Sequence, residues 1–122
     1  MGRVDYFERK LDDKRRLTIP ADLREELAGG VVVTRGFGQY LHLYPKGVWD
    51  KLVEPTLDGD ILDERIADLN VQFRTGKVEA VLDDKQGRVT LEQHHLAYAG
   101  IDKDIKAIAI GNKNRYWRIM AK

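Results

Sequence analysis

The sequence predicts a mainly β fold with short helices, of the α+β class, built from two pseudo-repeats. Three observations carry that expectation. Nearly the same phrase occurs twice, as "LDDKRRLTIP" at 11–20 and "LDDKQGRVTL" at 82–91. Each copy leads into a short helix-like stretch ending in glycine, "PADLREELAGG" and "EQHHLAYAG". Each stretch is followed by two strand-like runs parted by a turn. A repeated period is read before local propensity because it decides the architecture.

With Arg16 placed over Arg88, an offset of 72, Asp12 falls on Asp84, Leu17 on Val89, Thr18 on Thr90 and Ile19 on Leu91. Pro20 suits a first helical turn, where its missing N–H is not needed. Leu23 and Leu27 share a helical face, and glycine is a common helix stop. The strands "GVVVTRG" (30–36) and "QYLHLYP" (39–45) match "IKAIAIG" (105–111) and "RYWRIMA" (115–121) with a small register shift. The turns "GFG" and "GNKN" are rich in residues that tolerate positive φ.

Between the halves, Val48, Trp49, Leu52 and Val53 predict a short helix ending before Pro55. "TLDGD" is a turn. Ile61 or Leu62, Ile66, Leu69 and Phe73 recur at helical spacing, with Asp58 or Asp60 as the expected cap. The chain of 122 residues therefore reads as one compact domain: a first half at 1–45, a helical connector at 46–75 and a second half at 76–122. A half of about 50 residues buries too little surface to stand alone, so the halves are expected to interlock.

Composition narrows the function. The hydrophobic fraction is 43 % and the charged fraction 34 %, yet the net charge is only +1. Any nucleic-acid site must come from local clustering. Without cysteine there are no disulfides, thiolates or Cys-type zinc sites; without serine there is no Ser-based triad. His94 and His95 are neighbours, about 100° apart on a helix, and cannot chelate as an i, i+4 pair does; one is expected on the surface and one partly packed. "RGFGQY" lacks the G-K-[ST] ending of a phosphate loop and reads as a hairpin turn. Tyr40, Tyr44, Trp49, Tyr116 and Trp117 have core-like spacing. No enzyme, catalytic residue, cofactor, metal, small-molecule substrate or membrane partner is expected. With no signal-peptide core at the N-terminus, the expected location is cytoplasmic.

The pattern common to both copies is D-x-x-x-R, Asp12 to Arg16 and Asp84 to Arg88. Aspartate at a strand end accepts bonds from the N–H groups of the following turn and can orient an arginine. In one copy this is ordinary turn chemistry with a solvated ion pair, worth about 0–1 kcal/mol. Duplication adds weight, as does "RKLDDKRR", with five basic residues in eight. Two such turns on one face would present arginines to phosphates or to the guanine edge.

"KLDDKRRLTIPADLREEL", "GVVVTRG", "LYP", "LDDKQGRVTL" and "YAGI", in this order over most of the chain, resemble the MraZ family. That family comprises bacterial transcriptional regulators related in fold to the SpoVT-AbrB and MazE group. The resemblance implies a swapped-hairpin AbrB-like β-barrel of two interlocked pseudo-repeats, a ring-like homo-oligomer, and nucleoid-associated binding to repeated elements in double-stranded promoter DNA. By position it implies that Asp12 and Asp84 order the turns and that Lys14, Arg16 and Arg88 face DNA. Arg15 and Lys85 join them on charge and proximity. The sequence departs from the family pattern at Arg15, where the second copy has Gly87. If that position needs positive φ, a non-glycine residue is strained by about 1 kcal/mol. The second copy has Leu91-Glu92 in place of Ile19-Pro20, and His95 stands where an apolar residue is usual. Two further readings fit the residues: an AbrB/MazE-like antitoxin or protein-interaction module, and a structural oligomer without sequence-specific DNA binding.

Overall fold

The computed structural model describes residues 3–83 and 85–122. The strands run in the expected order. The first half contributes β1 (Tyr6–Lys10), β2 (Arg16–Thr18), β3 (Val31–Arg35) and β4 (Leu41–Pro45). The second contributes β5 (Val78–Ala80), β6 (Arg88–Thr90), β7 (Asp104–Ile110) and β8 (Tyr116–Ala121). They form an antiparallel six-stranded sheet in the order β1-β7-β8-β4-β3-β5 and a separate two-stranded ribbon, β2-β6.

The pairing shows how the repeats combine. β1 pairs with β7 of the other half, and β5 pairs with β3 in the same way. In the ribbon Leu17 faces Val89, Arg16 faces Thr90 and Thr18 faces Arg88. Leu17 and Val89, which the repeat lays over one another, are cross-strand partners, and their neighbours pair crosswise, so a pseudo-two-fold axis passes between Leu17 and Val89. It emerges through the sheet between β4 and β8, where His42 faces Arg118.

Strand alternation sorts the side chains onto two faces. Val31, Val33, Leu41 and Leu43 enter the main core with Leu17, Val89, Ile105, Trp117 and Ile119. Val32 and Tyr44, one step out of phase, join a second cluster with Trp49, Leu57 and Phe73 of the connector. The unbroken "VVV" follows from this: β3 is covered on both faces.

The helical parts differ from expectation in three places. The stretch after Pro20 makes a single 3-10 turn at Ala21–Leu23 and then loose turns. Its bonds close at i+3, from Leu23 N–H to Pro20 O and from Arg24 N–H to Ala21 O. Gly30, at φ 104°, ends the run. Pro55 does not end the first connector helix. The run passes from α1 (Lys46–Val48) through a π-type segment (Trp49–Val53) into α2 (Glu54–Leu57), with Pro55 in the first turn of α2. The π-type segment directly before Pro55, with Val53 and Glu54 still helical, is where the run takes up its missing N–H. The cap of α3 (Glu64–Arg74) is Asp63, whose side chain accepts from Arg65 N–H; Asp58 and Asp60 lie upstream of the cap position. The last helix, α4 (Gln93–Ala99), stops at Gly100 in the left-handed conformation, as its sequence predicts.

Two polar clusters lie beneath this surface. Arg115, only 3 % exposed, donates from Nη2 to Glu26 at 2.8 Å and from Nη1 to Asp5 at 2.9 Å, and packs over the Trp117 ring. Burial raises the Glu26 pKa, but hydrogen bonds from Arg115 and Trp117 outweigh it and leave it lowered. Removing one partner of a buried pair strands the other. Arg115→Ala should therefore cost about 3 kcal/mol, read as a fall in the urea midpoint at unchanged slope.

His42 is fully buried, with Nδ1 2.7 Å from the Tyr44 hydroxyl. Burial, reinforced by Arg118, lowers its pKa to about 4. A lowered folded-state pKa means that the unfolded chain binds more protons between about 4 and 6.5. The stability from neutral His42 is full above that window and drains away as pH falls through it. Between pH 7 and 4.5 this loss should amount to about 2–3 kcal/mol. Urea unfolding of His42→Gln should show a loss smaller by that amount; an identical loss would refute the assignment.

Candidate nucleic-acid interface

The β2–β6 ribbon brings the duplicated residues together. Leu17 and Val89 are fully buried on its inner face. By period-two alternation Arg16, Thr18, Arg88 and Thr90 share the other face. The arginines stand on opposite strands, each across from a threonine.

Each arginine follows a turn organised by an aspartate. In the first turn Asp12 Oδ1 accepts from the backbone N–H of Lys14 and of Arg16, both at 2.9 Å. Its Oδ2 accepts from Arg16 Nε at 2.6 Å. In the second turn Asp83 Oδ1 accepts from the N–H of Lys85 at 2.9 Å and of Gln86 at 3.2 Å. Its Oδ2 accepts from Arg88 Nη2 at 3.2 Å. Backbone bonds, from Arg16 and Gln86 respectively, lead the causes that lower both aspartate pKa values. The bonds equivalent to those of Asp12 thus belong to Asp83. Asp84, which the sequence spacing predicts in that role, lies outside the described residues. The second turn is one residue longer: Asp12 O accepts from Arg15 N–H, whereas Asp83 O accepts from Gly87 N–H. The signal was present in the sequence, because "LDDK" itself repeats in both copies one position out of phase with the arginines.

The two turns touch across the axis. Arg88 Nη1 lies 3.8 Å from Asp12 Oδ2, so Asp12 faces arginines of both halves. The Arg88 side chain is 18 % exposed and that of Arg16 30 %. Lys14 and Lys85 are exposed. Arg15 is half-buried and donates from Nε to Leu91 O at 3.2 Å. Its φ is 60°, matching 64° at Gly87. The position does need positive φ, and a non-glycine residue occupies it.

Other candidates separate from this site. His95 is buried, with Nε2 2.7 Å from Gly76 O, while His94 is exposed. Among the described residues no group of three or more His, Cys, Asp or Glu could hold a metal ion. Tyr44, Trp49 and Trp117 are core residues. "RGFGQY" forms the β3–β4 turn. No helix among the described residues is long and apolar enough to cross a membrane.

Residues 6–65, which hold the first turn, β2 and most of the connector, match the family model described as "MraZ protein, putative antitoxin-like". Relatives extend the match through the second turn. A protein of Clostridium acetobutylicum named transcriptional regulator MraZ is 35% identical over 93% of this chain and 80% of its own length. Similarly named proteins of Kineococcus radiotolerans and Kocuria rhizophila are each 33% identical, over 88% and 91% of this chain and 75% and 77% of theirs. The chain belongs to the MraZ family. The resemblance read from the sequence is thereby established, and within this MraZ-family chain Arg16 and Arg88 of the duplicated turns lie on one ribbon.

The left-handed site gives a direct test. A β-branched residue is disfavoured at positive φ, whereas glycine is tolerated. Arg15→Gly relieves strain but loses the bond to Leu91 O, two effects of about 1 kcal/mol each. It should leave stability within about 1 kcal/mol of the parent, while Arg15→Val should unfold at least about 1 kcal/mol more easily than Arg15→Gly. Equal stability of the two variants by urea denaturation would contradict the turn geometry.

Proposed function

We infer that this chain is a transcription regulator that binds double-stranded DNA sequence-specifically through the outer face of the β2–β6 ribbon. The observation that carries this reading is the convergence of Arg16, Thr18, Arg88 and Thr90 on one face, flanked by the exposed lysines Lys14 and Lys85. The names of the MraZ relatives support the regulatory role. A two-stranded ribbon fits the major groove, where paired arginine nitrogens match guanine O6 and N7.

The arginines divide the work. Asp12 holds Arg16 through Nε, and among the described residues nothing engages its terminal nitrogens, which can meet a guanine edge. Asp83 and Asp12 engage the terminal nitrogens of Arg88 instead, so Arg88 contributes more to turn order and phosphate contact. Lys14 and Lys85 supply salt-sensitive phosphate attraction. Arg15 acts mainly through Leu91 O.

Homo-oligomerisation would bring several ribbons to repeated promoter elements and multiply a weak single-ribbon affinity. The connector supports this with exposed apolar side chains, Leu62 at 94 % and Val71 at 66 %. Such a regulator works in the cytoplasm, on the nucleoid. No catalytic step or cofactor enters this reading.

The test is a salt titration of binding to the duplex upstream of the chain's own operon, beside a scrambled duplex. Binding should favour the native duplex and weaken as salt rises. Lys14→Ala and Lys85→Ala should each lower the salt slope by about one on both duplexes. Arg16→Ala should remove about 1–3 kcal/mol of the preference for the native duplex. Equal, weak binding of the parent to both duplexes would overturn the reading.

A further inference from the structure

The two turns share one unusual contact and reach it by different routes. At the left-handed residue of the first turn, Arg15 O accepts from Leu91 N–H at 2.9 Å. At its counterpart, Gly87 O accepts from Ile19 N–H at 2.8 Å. Each acceptor strand is then closed by a guanidinium. Arg15 donates from its own Nε to Leu91 O at 3.2 Å. For the second turn the donor is Arg24, which reaches Ile19 O from Nε, also at 3.2 Å.

Arg24 covers Gly87. A Cβ built on Gly87 would land on Arg24 Nε and 2.7 Å from its Cδ. The glycine therefore does two things: it accepts φ 64°, and it leaves space for an arginine from the other half. Among the described residues no second guanidinium bonds Leu91 O at the first turn. The repeat offset puts Leu96 in the place of Arg24, next to Ala97, and neither side chain can donate. A cleft lined by Arg15, Gln93, Leu96 and Ala97 lies there instead.

We propose that Arg24, bonded within its own half to Ile19 O and packed across the pseudo-two-fold axis on Gly87, is the positioning residue of the second turn, as Arg15, bonded across the axis to Leu91 O, is of the first. Gly87 immediately precedes Arg88, as Arg15 precedes Arg16. Holding the carbonyl of the left-handed residue against the opposite strand therefore sets where the next arginine points. Arg24 need not touch DNA to influence it. The two turns are consequently clamped by different residues and can be tuned separately. The effect on DNA rests on the ribbon reading above; the effect on the turn does not.

The experiment uses the full chain and a swap of clamps. Arg24→Ala removes the bond to Ile19 O and the cover over Gly87. Adding Gly87→Arg supplies the clamp of the first turn, an arginine at the left-handed position, in the space that Arg24 vacates. Arg24→Lys keeps a donor. Amide hydrogen exchange at Ile19 and Gly87 reads the turn without DNA, and titration with the native upstream duplex reads binding.

Arg24→Ala should speed exchange at Ile19 about tenfold, the size of one charge-assisted hydrogen bond. It should weaken duplex binding several-fold at unchanged salt slope. The double variant and Arg24→Lys should recover protection and affinity, whereas Gly87→Arg alone, colliding with Arg24, should resemble Arg24→Ala. Unchanged Ile19 exchange in Arg24→Ala overturns the proposal. So does a double variant no better than Arg24→Ala, or a salt slope lower by about one, which would make Arg24 a phosphate contact. If the parent ignores the native duplex while exchange follows the swap, the ribbon reading fails and the clamp stands.

Discussion

Leu17 and Val89 face each other across the ribbon, both fully buried, and the arrangement of the rest follows from that pair. The contact places equivalent residues of the two halves on either side of an axis. Strand geometry then leaves no choice for their neighbours. If Leu17 and Val89 point inward, Arg16, Thr18, Arg88 and Thr90 point outward. A slip of one residue would turn the arginines into the core and the apolar residues into water. The core contact and the basic surface are therefore one constraint seen from two sides.

The pseudo-symmetry is broken where the halves have different work. The connector covers the outer faces of β3 and β4, packing Trp49, Leu57 and Phe73 on Val32 and Tyr44. His42 becomes a buried, neutral side chain there, ringed by Phe37, Tyr44, Phe73 and Tyr116. The turns are unequal too. One is a residue longer, and one carries arginine where the other carries glycine. A ribbon of this kind presents two related but distinct surfaces.

Arg115 has a different task. It ties the β7–β8 turn of the second half to Glu26 in the first and to Asp5 just before β1. A buried guanidinium with two carboxylates is costly unless all its bonds are made. Here it fixes how the β7–β8 turn meets Asp5 and Glu26 of the other half.

The sequence by itself determined the element order, the duplicated turns and the alternation that sends Arg16 and Arg88 to one face. It determined these because they are local: periodicity, glycine stops and the repeat all lie within a few residues. It also marked Arg15 as standing where the second copy has Gly87, and the structure then supplied the φ of 60° there. The tertiary structure alone decided which strands pair, since β1 with β7 and β3 with β5 are joined by no short-range signal. It decided that Asp83 makes the bonds of Asp12, because a one-residue insertion shifts the turn but not the strands. It decided that Pro55 lies inside a helical run, and that Arg24 closes a turn more than 60 residues away along the chain. For the strand pairs and for Arg24 the deciding partner is distant in sequence, and only packing around the Leu17–Val89 axis brings it within reach; Asp83 and Pro55 are settled locally, by a turn one residue longer and by a helical run that continues through the proline.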